Sequence, residues 1–174
     1  LGAQGWGPAR ARGSGWTGLQ IDGAQWRLSD GRTAAELQAA LGLAEVAVFD
    51  RPLMLSAAHG QALAFAVAET ADEAWRHKAT NWLAALGFAP MAVADTPGLV
   101  VTRSIAMLIN EAADAVQQGV CTSDGADAAT KLGVNYPAGP FEWLARWSVA
   151  EVVQVLEALD HHYRGERYRV SPWL

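Results

Sequence analysis

The feature that most limits how this chain can fold is a change of hydrophobic period near Pro97. On its N-terminal side, short apolar runs such as residues 45–49 (EVAVF) and 62–67 (ALAFAV) alternate with stretches of helical spacing. On its C-terminal side only the helical spacing remains. Strand side chains repeat every two residues and helix faces about every 3.6, so the switch predicts two differently built parts. A small α/β domain is expected over residues 17–95 and an all-α domain over 96–174. Residues 1–16 (LGAQGWGPARARGSGW) are Gly-rich without a period and are expected to be a linker.

Local signals place the elements. Asp22-Gly23 between Gly18–Ile21 and Gln25–Leu28 predicts a hairpin, because both turn positions tolerate positive φ. Thr33-Ala-Ala-Glu36, Thr70-Ala-Asp-Glu73 and Ser148-Val-Ala-Glu151 each match a capping box, in which a hydroxyl and a carboxylate satisfy backbone N–H groups at a helix start. Behind the second, Trp75, Ala79, Trp82, Leu83 and Leu86 recur at helical spacing as far as Gly87, and 88–94 reads as a strand. Strand, helix, strand is a βαβ unit, for which a parallel sheet is the default. Beyond Pro97, Val101, Ile105, Leu108, Ala112 and Val116 predict one apolar stripe, with Asn110 on another face. A shorter helix over 123–132, closed by Gly133, should follow, and then one with Val149, Val152, Val153, Leu156 and Leu159 inward.

Charge and composition exclude several classes of function. With 13 Lys and Arg against 18 Asp and Glu, the chain has no basic stripe to neutralise a phosphate backbone, so no nucleic-acid partner is expected. Its apolar runs are too short to cross a bilayer, so no membrane partner is expected either. Cys121 is a single cysteine and cannot form an internal disulfide, which favours a reducing, cytoplasmic setting. The first residue is Leu1, and the sequence reads as a piece of a longer protein.

The chemistry-bearing residues are sparse. Gly2, Gly5 and Gly7 follow G-x-x-G-x-G spacing without a preceding strand, which is not a dinucleotide fingerprint. His59 and His77 stand apart, and the adjacent His161 and His162 would diverge on a helix, so no metal site is expected. Gly13-Ser14-Gly15 lacks the glycine two residues before the serine that a nucleophile elbow requires. Cys121 has no neighbouring cation to activate it. Most of the eight tryptophans fit core packing.

Three stretches are more telling. Residues 95–103 (DTPGLVVTR), Asn110-Glu111-Ala112 and 131–142 (KLGVNYPAGPFE), in that order and spacing, closely resemble the helical C-terminal domain of 3-hydroxyacyl-CoA dehydrogenases. Residues 18–94, with Ser29-Asp-Gly-Arg32 and the βαβ unit, look like the reduced Rossmann-fold segment of bacterial enzymes of the 3-hydroxybutyryl-CoA or 3-hydroxyadipyl-CoA type. Read physically, Pro97 suits a helix start, and Asp95 or Thr96 is expected to cap the N–H groups behind it.

The resemblance implies oxidation of a 3-hydroxyacyl-CoA to a 3-oxoacyl-CoA with NAD in the full-length enzyme, in fatty-acid or aromatic-acid degradation. The family's His-Glu pair and glycine fingerprint belong to an N-terminal domain outside this sequence. No catalytic or cofactor-binding residue and no cofactor are therefore expected here. The family places an Asn just before the Arg of the long helix; here Thr102 holds that place and is the one expected substrate-binding residue. The expected partners are the enzyme's own N-terminal half, a further subunit in a homo-oligomer, and the acyl-CoA. Two alternatives from other classes are a pure assembly module and an independent nucleotide-binding enzyme.

Overall fold

The structure is a computed structural model that describes residues 16–52 and 60–174. The expected linker lies outside the described residues except for Trp16, as does His59. The fold is a five-stranded sheet with two helices, followed by four helices and a short 3-10 turn.

Strands β1 (Gly18–Ile21) and β2 (Ala24–Leu28) form the expected hairpin, with Asp22 and Gly23 at φ 50° and 86°. Helix α1 (Ala34–Leu41) opens on the complete Thr33/Glu36 capping box and closes on Gly42 in the left-handed region. It leads to β3 (Val46–Phe49), which runs parallel to β2. Thus β2, α1 and β3, each expected locally, close into a first βαβ unit ahead of the expected one: β4 (Ala62–Val67), α2 (Glu73–Ala85) and β5 (Ala89–Ala92), with β4 and β5 parallel.

Two local expectations need correcting. The sheet is mixed, because β3 and β4 are joined without a crossover helix and pair antiparallel in a β1-β2-β3-β4-β5 order. The cap of α2 is Asp72, whose carboxylate accepts from Trp75 N at 2.7 Å, rather than Thr70. An acid two residues nearer the helix caps it instead.

Period-2 alternation assigns the two faces of the sheet. Trp26, Ala47, Leu63, Phe65 and Val67 pack under Trp75, Ala79 and Leu83 of α2. Val46, Val48 and Ala66 face the other way, against Ala34 and Leu37 of α1 and against Leu99. Trp26 is completely buried, with its ring centroid 5.0 Å from that of Trp75 and 6.2 Å from that of Trp82 in edge-on arrangements.

The helical part comprises α3 (Val101–Gln117), α4 (Ser123–Val134), α5 (Pro140–Trp147) and α6 (Val149–Tyr163). Its core joins Ile105, Ala106 and Ile109 to Trp143, Leu144, Val152, Val155, Leu156, Leu159 and Tyr168. Full burial of each large aliphatic side chain contributes about 2 kcal/mol. The buried stripe of α3 is turned from the expected one and runs through Thr102, Ile105, Ala106, Ile109, Asn110 and Ala113. Asn110 can be inside because the C-terminal segment feeds it partners: its Nδ2 donates to Arg169 O at 3.0 Å and its Oδ1 accepts from Ser171 N at 2.8 Å. Helix α4 continues through Gly133 to Val134, with Asn135 as the left-handed cap. Val149, expected inward, is 41% exposed.

Candidate functional site

The carboxyl ends of β3 and β5 meet the start of α3, and two aspartates organise that corner. Asp50 follows the last residue of β3 and is 1% exposed. Its Oδ2 accepts from Val100 N and Val101 N at 2.8 and 2.6 Å, and its Oδ1 accepts from Thr102 N at 2.8 Å. The Thr102 hydroxyl donates to the same Oδ1 at 2.7 Å. A helix start carries unsatisfied N–H groups and a partial positive charge, and a buried carboxylate answers both.

Asp95 does the reciprocal task. It was expected to cap the helix behind Pro97, but its Oδ1 and Oδ2 accept from Ala34 N and Ala35 N of α1, at 2.7 and 2.9 Å. Thr96 does not cap α3 either; its hydroxyl donates to Ala94 O at 2.9 Å. Pro97 begins a turn rather than the helix, since Gly98 and Leu99 both take positive φ, 71° and 48°, before α3 starts at Val101. The left-handed conformation at Leu99 is uphill for a branched side chain. Burial of that side chain between Ala34, Leu37, Val46, Val48 and Ala66 offsets it. Each aspartate therefore serves a helix remote from it in sequence, and together they fasten sheet to bundle.

Beside Asp50, Arg51 reaches into the helical part. Its guanidinium carbon lies 4.2 Å from the Trp147 ring centroid, and Nη2 is 3.4 Å from Glu151 Oε2. Burial pushes the Arg51 guanidinium below its ordinary value, and Glu151 opposes that shift. Arg51 Nε is buried without a hydrogen-bond partner.

Thr102, the expected substrate contact, is fully buried and held by Asp50. Of the described histidines, His77 is exposed and 3.2 Å from Glu73. His162 Nδ1 is 2.9 Å from Glu36 Oε1, and His161 lines a shallow groove with Glu157, Asp160 and Arg164. Cys121 is half-buried. Among the described residues, no group of three His, Cys, Asp or Glu side chains could hold a metal ion, and no helix is long and apolar enough to cross a membrane. Sequence reasoning missed Asp50 and Arg51. The available signal was an acid placed directly at the end of an apolar strand, Phe49-Asp50-Arg51-Pro52.

Comparison with known proteins agrees with this architecture. Residues 27–97 match the 3-hydroxybutyryl-CoA dehydrogenase reduced Rossmann-fold domain, and 98–174 match the 3-hydroxyacyl-CoA dehydrogenase C-terminal domain. Over 110 residues the chain is 41% identical to 3-hydroxyadipyl-CoA dehydrogenase of Escherichia coli K12, taking in 63% of this chain and 23% of that protein. A probable 3-hydroxybutyryl-CoA dehydrogenase of Deinococcus radiodurans is 32% identical over 106 residues, 61% of this chain and 38% of the relative. The crystal structure of 3-hydroxybutyryl-CoA dehydrogenase from Escherichia coli K12 superposes with a TM-score of 0.82 at 34% identity, over 95% of this chain and 34% of that one. The chain therefore spans between about a quarter and two fifths of the length of these relatives. With the two adjoining domain models accounting for residues 27–174 in the order in which the structure shows a sheet and then a helical bundle, the chain belongs to the 3-hydroxyacyl-CoA dehydrogenase family.

Proposed function

We propose that this chain is the non-catalytic C-terminal part of a longer cytoplasmic oxidoreductase that converts 3-hydroxyacyl-CoA to 3-oxoacyl-CoA with NAD. Its role is assembly and shaping of the acyl pocket, and its division falls at residues 17–95 and 96–174. The observation that carries this reading is the self-capped start of α1. In a βαβ dinucleotide site the pyrophosphate sits on the N–H groups that open the helix after the first parallel strand. Here those groups, on Ala34 and Ala35, are held by the Asp95 carboxylate, and the start of α3 is held by Asp50. An anionic cofactor would have to displace a carboxylate and then lie beside it. The residues present do not fit NAD at that place, so hydride transfer is assigned to the portion of the enzyme outside this sequence.

Thr102 stands at the family position for a polar contact near the substrate. Its part is indirect: the hydroxyl engaged by Asp50 fixes the end of α3. A change of Thr102 to Ala in the longer enzyme should accordingly alter kcat/KM by less than about tenfold, whereas first-hand contact with the reacting group would cost far more.

The direct test is a titration of NADH into the chain, following energy transfer from its tryptophans to the nicotinamide. No saturable binding up to about millimolar cofactor is expected. Saturation in the micromolar range would show that the reduced domain kept a nucleotide site and would overturn the non-catalytic assignment.

A further inference from the structure

Arg51 sits at the seam between sheet and bundle with more donors than acceptors. Its side chain is 16% exposed, its guanidinium carbon is 4.2 Å from the Trp147 ring centroid, and its Nε is enclosed without a hydrogen-bond partner. A guanidinium carries five N–H donors. Among the described residues, those of Arg51 meet a single acid, Glu151 Oε2 at 3.4 Å, which is ion-pair distance rather than a close hydrogen bond. Glu151 is itself 40% exposed, so water competes for it. The adjacent acid is already committed. Asp50 accepts five bonds, from the N–H groups of Arg51, Val100, Val101 and Thr102 and from the Thr102 hydroxyl. Buried charges are ordinarily paired and hydrogen-bonded, so a guanidinium with donors to spare is built to take a further acceptor.

The surroundings select the kind of acceptor. Asp50 precedes Arg51 and Glu151 faces it, so a dianion such as a phosphate is repelled by two carboxylates, and a monoanion only half as strongly. A carboxylate also matches the guanidinium fork, which it meets in two parallel N–H···O bonds. The neighbouring surface is apolar. Trp147 lies against the guanidinium, Val149 opens α6 between Trp147 and Glu151 and is 41% exposed, and Val100, 55% exposed, is held through its N–H by Asp50. An apolar chain that ends in a carboxylate finds both of its parts matched there.

We propose that Arg51 is a specificity residue of the longer enzyme: it takes the terminal carboxylate of the acyl chain, and so favours 3-hydroxyacyl-CoA substrates whose far end is a carboxylate over those that end in a methyl group. The inference deepens the pocket-shaping role proposed above and rests on it. The test is steady-state oxidation of 3-hydroxyadipyl-CoA and of 3-hydroxyhexanoyl-CoA, equal in chain length, by the longer enzyme and its variants. The parent should prefer the carboxylate-ended substrate in kcat/KM, and Arg51→Met should cut the ratio of the two values by about tenfold to a hundredfold, the effect of losing a charge-assisted pair. Arg51→Lys keeps the charge without the fork and should cut the ratio less. Glu151→Gln removes the competing acid and should lower KM for the carboxylate-ended substrate, a gain that misfolding does not produce. A parent without the preference, an Arg51→Met enzyme with the ratio unchanged, or a Glu151→Gln enzyme whose KM for the carboxylate-ended substrate stays or rises would overturn the inference and leave the pocket-shaping role standing. A parent that oxidises neither substrate with NAD would overturn the proposed activity itself, and the inference with it.

Discussion

Asp50 does for α3 what a capping side chain ordinarily does from one residue away, but from 50 to 52 positions off in sequence. It is buried, so its removal strands three N–H groups at the start of α3, the Arg51 N–H and the Thr102 hydroxyl. A buried donor left unpaired costs about 1–3 kcal/mol, and bonds to a charged acceptor are the stronger kind. Asp50→Ala is therefore expected to lower the unfolding free energy by about 3 kcal/mol or more, as measured by urea denaturation. Thr102→Val, which keeps the shape and deletes one of the five bonds that Asp50 accepts, should cost about 1 kcal/mol. A reversal of that order would mean that Asp50 is not the anchor of the helix.

At the scale of elements, α1 and α6 are joined by a pair that also closes a cap. Glu36 Oε2 accepts from Thr33 N at 2.8 Å, completing the capping box, while Oε1 lies 2.9 Å from His162 Nδ1. Partial burial pushes the Glu36 carboxyl upward, but the bonds from His162 and from the Thr33 amide outweigh it, and its pKa sits below the ordinary 4.5. A carboxylate with a lowered folded value stabilises fully above its unfolded value and loses that contribution as the pH falls through the folded one. Glu36→Gln should therefore be less stable than the parent at neutral pH, with the gap closing as the pH drops below about 4.5 in urea titrations at stepped pH. The effect should be modest, because the pair is about one-third exposed.

The same elements show what the sequence could and could not reveal. The hairpin, the Thr33 and Ser148 caps, the second βαβ unit and the order of the helices rest on contacts within a few residues, and local patterns record those. The three elements of the first βαβ unit were legible one by one, but the parallel pairing of β2 with β3 and the mixed sheet were not, because pairing direction is a relation between distant strands. Asn110 was placed outside because its partners, Arg169 and Ser171, arrive from the far end of the chain. The corner built by Asp50 and Asp95 was illegible for the same reason: each acid caps a helix that neither precedes nor follows it directly.

On the scale of the whole molecule, a small set of specific contacts joins sheet to bundle. Leu99 inserts into the α1 side of the sheet, Arg51 lies over Trp147, and Glu36 meets His162. The tightest approach is at Gly31, where the turn after β2 lies on α6. A Cβ there would stand 2.7 Å from both Ala158 Cβ and Val155 O, and the residue's φ is 99°. Only glycine accepts both the conformation and the distance. Calorimetry of the chain should therefore show one cooperative transition, with van't Hoff and calorimetric enthalpies equal. Gly31→Ala forces the turn off α6 and should cost about 3 kcal/mol, which lowers Tm by roughly 6–12 °C at this chain length. If the substitution instead splits the transition in two, each half has its own stability and α6 serves mainly to hold them together; if Tm does not move, the packing of Gly31 on α6 contributes nothing, and the coupling rests on Asp50, Arg51 and Leu99 alone.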